Sequence, residues 1–102
     1  MSIQILQINF RFNVSRAEYE EVADELAQSF ADLSGLRWKI WLMNEAESEA
    51  GGIYLFEDET SVQSFLNGPL ATQVTSHPAI SDFSVKTFDV MSFPTEIADG
   101  PV

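Results

Sequence analysis

The sequence contains no cysteine, a single histidine, and only five basic residues against sixteen acidic ones. The missing thiols exclude disulfides, thiolate metal sites and cysteine nucleophiles together. One histidine with scattered carboxylates offers no ligand spacing of the zinc or facial-triad kind, so no metal is expected. A formal net charge of -11 opposes a nucleic acid partner, because such binding relies on Lys and Arg displacing phosphate counterions. The same charge would repel an anionic membrane surface. No apolar run approaches the roughly 18 residues of a spanning helix, and the N-terminus lacks the basic-then-apolar pattern of a signal peptide. Neither a Gly-x-Gly-x-x-Gly nor a Walker pattern occurs, so no nucleotide cofactor has local support. The expectation is a soluble, cytoplasmic protein that uses no cofactor.

What the sequence does have is apolar and aromatic content. Hydrophobic residues make up 45% and aromatics 12% of 102 residues, enough for one domain with a real core. That domain is expected over residues 1–91, with 92–102 as a C-terminal tail.

Along the chain, Leu6, Ile8, Phe10 and Phe12 alternate with Gln7, Asn9 and Arg11, the period of a two-faced strand. Ser15 and Glu18 form a capping box that starts a helix. Tyr19, Val22, Ala23, Leu26, Phe30 and Leu33 recur at helical spacing, with acidic residues between them and Ser34-Gly35 as the stop. Leu36 to Met43 reads as a second strand, with Leu36, Trp38, Ile40 and Leu42 on one face and Arg37, Lys39, Trp41 and Met43 on the other. An acidic loop leads through Gly51-Gly52 to a third strand, Ile53 to Phe56, making a hairpin. Asp58 or Thr60 caps a second helical region, which Asn67-Gly68-Pro69 interrupts before a further piece from Leu70 to Ser76. Phe83 to Val90 is the fourth strand.

Strand, helix, strand, strand, helix, strand is the order of a split βαβ, ferredoxin-like α+β sandwich with a four-stranded antiparallel sheet. Two helical layers would cover one face of that sheet, yet every strand carries large apolar groups at both parities. The uncovered face calls for a partner, and a second copy of the chain is the simplest one.

The strings Leu36-Arg37-Trp38-Lys39-Ile40-Trp41, Ala50-Gly51-Gly52-Ile53-Tyr54-Leu55-Phe56 and Lys86-Thr87-Phe88-Asp89-Val90 resemble the YdhR family, to which a monooxygenase activity is ascribed. The resemblance runs from the first strand to Val90. It implies a dimeric α+β barrel, related to antibiotic-biosynthesis monooxygenases, in which two ferredoxin-like domains press their sheets together. It also implies oxygenation of a small aromatic substrate without metal or flavin, the deprotonated substrate giving its electrons to dioxygen. The hairpin loop departs from the pattern, since Ser48 stands where a histidine would precede Glu49-Ala50-Gly51-Gly52. Asn9 likewise stands where a relative has histidine, so neither position supplies an imidazole here.

Candidate site residues follow. Trp38 and Trp41 are three apart on a strand and so point to opposite faces. By parity Trp38, with Phe10 and Tyr54, is expected to line a helix-side substrate pocket, although ordinary core packing explains the same residues. Trp41, with Lys39 and Met43, is expected at the dimer interface. His77 is the one side chain whose unperturbed pKa lies near neutrality, making it a candidate general base, against the reading of a solvated loop histidine. Tyr54 is a second catalytic candidate, through a hydrogen bond to a substrate oxygen. The competing function is a non-catalytic small-molecule-binding or stress-response homodimer of the same fold.

Overall fold

A computed structural model describes residues 2–102. The elements run β1 (Gln4–Phe12), α1 (Arg16–Ala31), β2 (Leu36–Asn44), a 3-10 turn (Glu45–Glu47), β3 (Glu49–Phe56), α2 (Glu59–Leu66), α3 (Pro69–Thr75), β4 (Ile80–Asp89) and α4 (Ser92–Ile97). The strands form one sheet in the order β2-β3-β1-β4, every neighbouring pair antiparallel. This is the expected ferredoxin-like α+β fold.

Local chemistry sets the boundaries. Ser15 Oγ accepts the Glu18 N–H at 3.1 Å while Glu18 Oε1 accepts the Ser15 N–H at 3.4 Å, completing the capping box of α1. Asp58 caps α2 by accepting the Ser61 N–H at 2.8 Å. α2 stops at Leu66, and Gly68-Pro69 restarts the chain as α3 with proline in its first turn. The acidic hairpin loop is shorter than the sequence suggested. Asn44 Oδ1 accepts the Glu47 N–H at 3.2 Å, closing a single tight turn before β3 begins.

The core lies between the sheet and α1–α3. Leu6, Ile8, Phe10 and Phe12 of β1 face it, as their alternation predicted, together with Ala50, Tyr54 and Phe56 of β3. Val62 and Phe65 of α2 close one end. α1 buries only Tyr19 and Phe30; Val22, Ala23 and Leu26 on the same stripe are half-buried. Its apolar face therefore roofs a space instead of packing down on the sheet.

Two register shifts matter for function. In β4 one extra residue lies opposite Asn9–Arg11, with Asp82 in the left-handed region at φ 56°, and the strand starts at Ile80, ahead of the expected Phe83. In β2, Leu36 pairs with Phe56 but Trp38 pairs with Leu55, so Arg37 is the extra residue of a bulge. A one-residue slip exchanges the two faces of a strand. From Trp38 onward the observed faces are thus the reverse of those read from parity. Lys39, Trp41 and Met43 point toward the helices, whereas Trp38 and Ile40 lie on the outer face beside Leu55 and Ile53.

The segment 92–102, expected as a tail, includes α4 and returns to the sheet. Trp38 donates its indole N–H to the Pro101 carbonyl at 2.8 Å. β4 is one edge strand and β2 the other, so this segment, a C-terminal strap, leads from one edge of the sheet to the other, about 14 Å at normal strand spacing. Leu55, on the outer face, is 1% exposed.

Candidate functional site

The space under α1 is a cavity of about 270 Å3 between the sheet, α1 and the α2–α3 pair. Its walls are largely aromatic: Phe10 from β1, Phe30 and Tyr19 from α1, Trp41 from β2, Tyr54 from β3, Phe65 from α2 and Phe83 from β4. Adjacent rings sit with centroids 5.2–5.9 Å apart, the spacing of tilted and edge-on aromatic contacts.

One charged side chain enters this wall. Lys39 Nζ lies 3.3 Å from the Trp41 ring centroid, 3.4 Å from that of Phe30 and 4.6 Å from that of Tyr54. Both ion pairs among the described residues involve Arg16, so Lys39 has no carboxylate partner. Ring faces attract a cation through their quadrupole, but removal from water disfavours it. That burial lowers Lys39 from its ordinary 10.5 to about 7. The two wall phenols move the other way. Burial raises Tyr19 to about 12, and burial, followed by the neighbouring Tyr19, raises Tyr54 well above the ordinary tyrosine value.

The glycine pair of β3 explains how lysine gets in. A Cβ on Gly52 would stand 2.7 Å from Lys39 Cε, so the lysine chain crosses the sheet over a position that only glycine leaves clear. Gly51, at φ 154°, lies against the β1 backbone, where a Cβ would meet the Ile8 carbonyl oxygen at 2.0 Å.

Of the predicted site residues, Phe10 and Tyr54 line this cavity together. Trp38 does not, because the β2 bulge sends it to the outer face, where Pro101 holds it. The same bulge takes Trp41, Lys39 and Met43 off the face that a second sheet would cover. Trp41 and Lys39 become cavity residues, and Met43 packs against the core. His77 lies in the loop between α3 and β4, where its Nδ1 accepts the Ala79 N–H at 3.1 Å, and it borders a separate groove with Asn13, Glu18 and Glu21. No Asp, Glu or His lines the cavity, so its wall offers no metal-ligand set. Lys39 is the residue whose role parity obscured. Its signal was the Gly-Gly pair on the facing strand, which leaves room for a long side chain.

The family model described as putative mono-oxygenase YdhR matches residues 5–101. No curated protein matches the chain. Among solved structures, SnoaB from Streptomyces nogalater, a cofactor-independent oxygenase, is 20% identical over 92% of this chain and 99% of its own, with a TM-score of 0.74. A Deinococcus radiodurans protein described as a putative antibiotic biosynthesis monooxygenase is 12% identical over 85% of this chain and 91% of its own, with a TM-score of 0.70. A hydroxynitrile lyase from Passiflora edulis is 12% identical over 89% of this chain and 95% of its own, with a TM-score of 0.67. At these identities the likeness establishes a shared fold, and one fold hosts different chemistries. The family match is of another kind, since it spans the cavity strands, the glycine pair and nearly all of the C-terminal strap: the chain belongs to the YdhR mono-oxygenase family.

Proposed function

We propose that this protein is a cofactor-independent monooxygenase that oxidises a small aromatic compound in the cavity between sheet and helices. The observation that carries this reading is the cavity itself, walled by aromatic rings and entered by a single amine-bearing side chain, Lys39. Its volume of about 270 Å3 lies near the lower end of small-molecule sites, which suits a compound of a few fused rings at most. Ring stacking would orient such a substrate, and an apolar wall would exclude the water that competes for a reactive carbanion.

For an anthrone-type substrate the reaction balances without a cofactor. The activated methylene becomes a carbonyl, taking one atom of dioxygen; the other atom leaves as water with the two methylene hydrogens. All four electrons come from the substrate. The test is dioxygen uptake by the purified protein with a panel of hydroxyquinol- and anthrone-type compounds. Uptake matched to product is expected, and no uptake above buffer across the panel overturns the proposal. Binding without uptake would instead favour the non-catalytic, ligand-binding reading.

The working unit in this proposal is a homodimer. Ile40 and Phe88 remain about half exposed on the outer face, and Met91, Phe93 and Ile97 project from the strap region at more than 70% exposure. Exposed large apolar side chains in such number favour burial against a second copy. Light scattering on the wild type should give twice the chain mass, and Phe88→Glu with Phe93→Glu should give a monomer.

A further inference from the structure

Lys39 is a half-buried, titratable, nucleophilic group with neither a carboxylate nor a structural hydrogen bond to explain it. It projects over Gly52, a position of β3 on the cavity face that lacks a side chain, into a wall of rings and aliphatic groups. A lysine with a purely structural role on an edge strand would reach for solvent, keeping its head in water and only its stem on apolar surface. Here the head lies against the rings of Trp41, Phe30 and Tyr54.

We propose that Lys39 is the catalytic base of this cavity, taking the proton of an acidic phenol or enol and holding the resulting anion, so that the site selects acidic aromatic ligands over neutral ones. The inference rests on the oxygenase reading above and supplies its proton acceptor. The step is a proton transfer: the substrate O–H bond breaks with its electron pair left on oxygen, an N–H bond forms at Nζ, and an ammonium–phenolate pair results. No net charge enters the cavity, which is what an apolar wall tolerates best. The rings of Trp41 and Phe30 are already placed to face the ammonium once it forms.

The surrounding titratable groups fit this division of roles. Tyr54 from β3 and Tyr19 from α1 are the other ionisable side chains in the wall, and no acid or histidine lines it from α2, α3 or β4. Burial keeps both phenols protonated, so they serve as hydrogen-bond donors to an oxyanion and do not compete with Lys39 for its proton. The same burial brings Lys39 to about 7, so near neutral pH a substantial share of it is in the neutral form a base requires.

The test uses para-nitrophenol, whose phenolate has its own visible absorption, at a pH below the dye's own pKa. Wild-type protein should bind it with the phenolate band, its apparent pKa lowered by about one unit, a tenfold shift in the ionised fraction. Lys39→Met should bind the dye in its neutral form, while binding of nitrobenzene, a neutral analogue, should change less than about twofold. Lys39→Gln, with a polar head, is the second variant if methionine impairs folding. Dye bound to wild type in its neutral form, or ionised equally by the variants, overturns the proposal. Ionisation that depends on Lys39 without dioxygen uptake on the substrate panel upholds this inference and removes the oxygenase reading. Uptake that Lys39→Met leaves unchanged does the reverse.

Discussion

Lys39 and Gly52 lie on the same face of the β2–β3 pair, with Lys39 Cε 2.7 Å from where a Cβ on Gly52 would be. The glycine therefore acts on the cavity through the lysine. Gly52→Ala meets mainly the flexible end of a side chain, which can swing away, and more lightly the Ile40 carbonyl oxygen and the Tyr54 ring at 3.3 Å. The fold should survive with a modest loss in urea midpoint, smaller than that of Gly51→Ala. The displaced lysine should lose its effect, and bound para-nitrophenol should stay neutral, as in Lys39→Met. Gly51→Ala is the contrasting case. Its Cβ meets the Ile8 carbonyl oxygen at 2.0 Å, and that oxygen belongs to the backbone of a central strand. Destabilisation of roughly 3 kcal/mol or more is expected.

Burial of Lys39 makes stability depend on pH with a definite sign. Its folded pKa is about 7 against an ordinary 10.5. Between those values the unfolded chain holds the proton and the folded chain does not, so stability rises with pH, by at most about 1.4 kcal/mol per unit. Below about pH 7 both states hold the proton, and the full cost of the buried cation is felt. Tyr19, raised to about 12, acts oppositely from about pH 10 upward, because its phenol then ionises in the unfolded chain first. Urea unfolding of wild type and Lys39→Met from about pH 6 to 10 isolates the lysine, since the background charge of the chain is nearly common to both. Lys39→Met should be the more stable protein at the acid end, and the gap should narrow as pH rises. A gap independent of pH would mean that Lys39 titrates normally.

The strap can be tested apart from the cavity. Trp38→Phe removes the hydrogen bond to the Pro101 carbonyl and should cost about 1 kcal/mol. Deleting residues 92–102 removes that hydrogen bond together with the α4 segment, and a loss larger than that of Trp38→Phe is expected. Urea midpoints measure both, and binding of a hydrophobic dye should rise only in the truncated chain. If truncation leaves stability unchanged, the strap is not held to the sheet in solution.

Clean alternation made β1 legible, the apolar run after Gly51-Gly52 marked the Ile53–Phe56 part of β3, and Ser15 marked the start of α1. The cap of α2 stayed open between Asp58 and Thr60 until the structure assigned it to Asp58. β2 was not legible in the same way. Its bulge at Arg37 inverts the parity of all that follows, and Leu36-Arg37-Trp38 contains no glycine or proline to announce it. Trp38, Lys39 and Trp41 consequently changed faces, and with them the identity of the site. The apolar stripe of α1 was plain, but a stripe that packs on a sheet and one that roofs a cavity have the same periodicity. The strap was hidden for another reason: Pro94, Gly100 and Pro101 read as chain punctuation, while its anchor is a single hydrogen bond 63 residues away in sequence.

His77 provides the decisive contrast with Lys39, because sequence alone offers the imidazole as a candidate base. In the structure its Nδ1 is already engaged by the Ala79 N–H, which tightens the turn into β4, and its groove is bordered by Glu18 and Glu21 and not by aromatic rings. A base must reach the proton it removes, directly or through one water, and the wall of the cavity does not include His77. His77→Ala should therefore cost about 1 kcal/mol of stability through the lost turn hydrogen bond. Para-nitrophenol ionisation and dioxygen uptake should stay at wild-type levels. A folded His77→Ala protein with uptake reduced tenfold or more would move the proton acceptor out of the aromatic cavity, and Lys39 would then be a binding residue only.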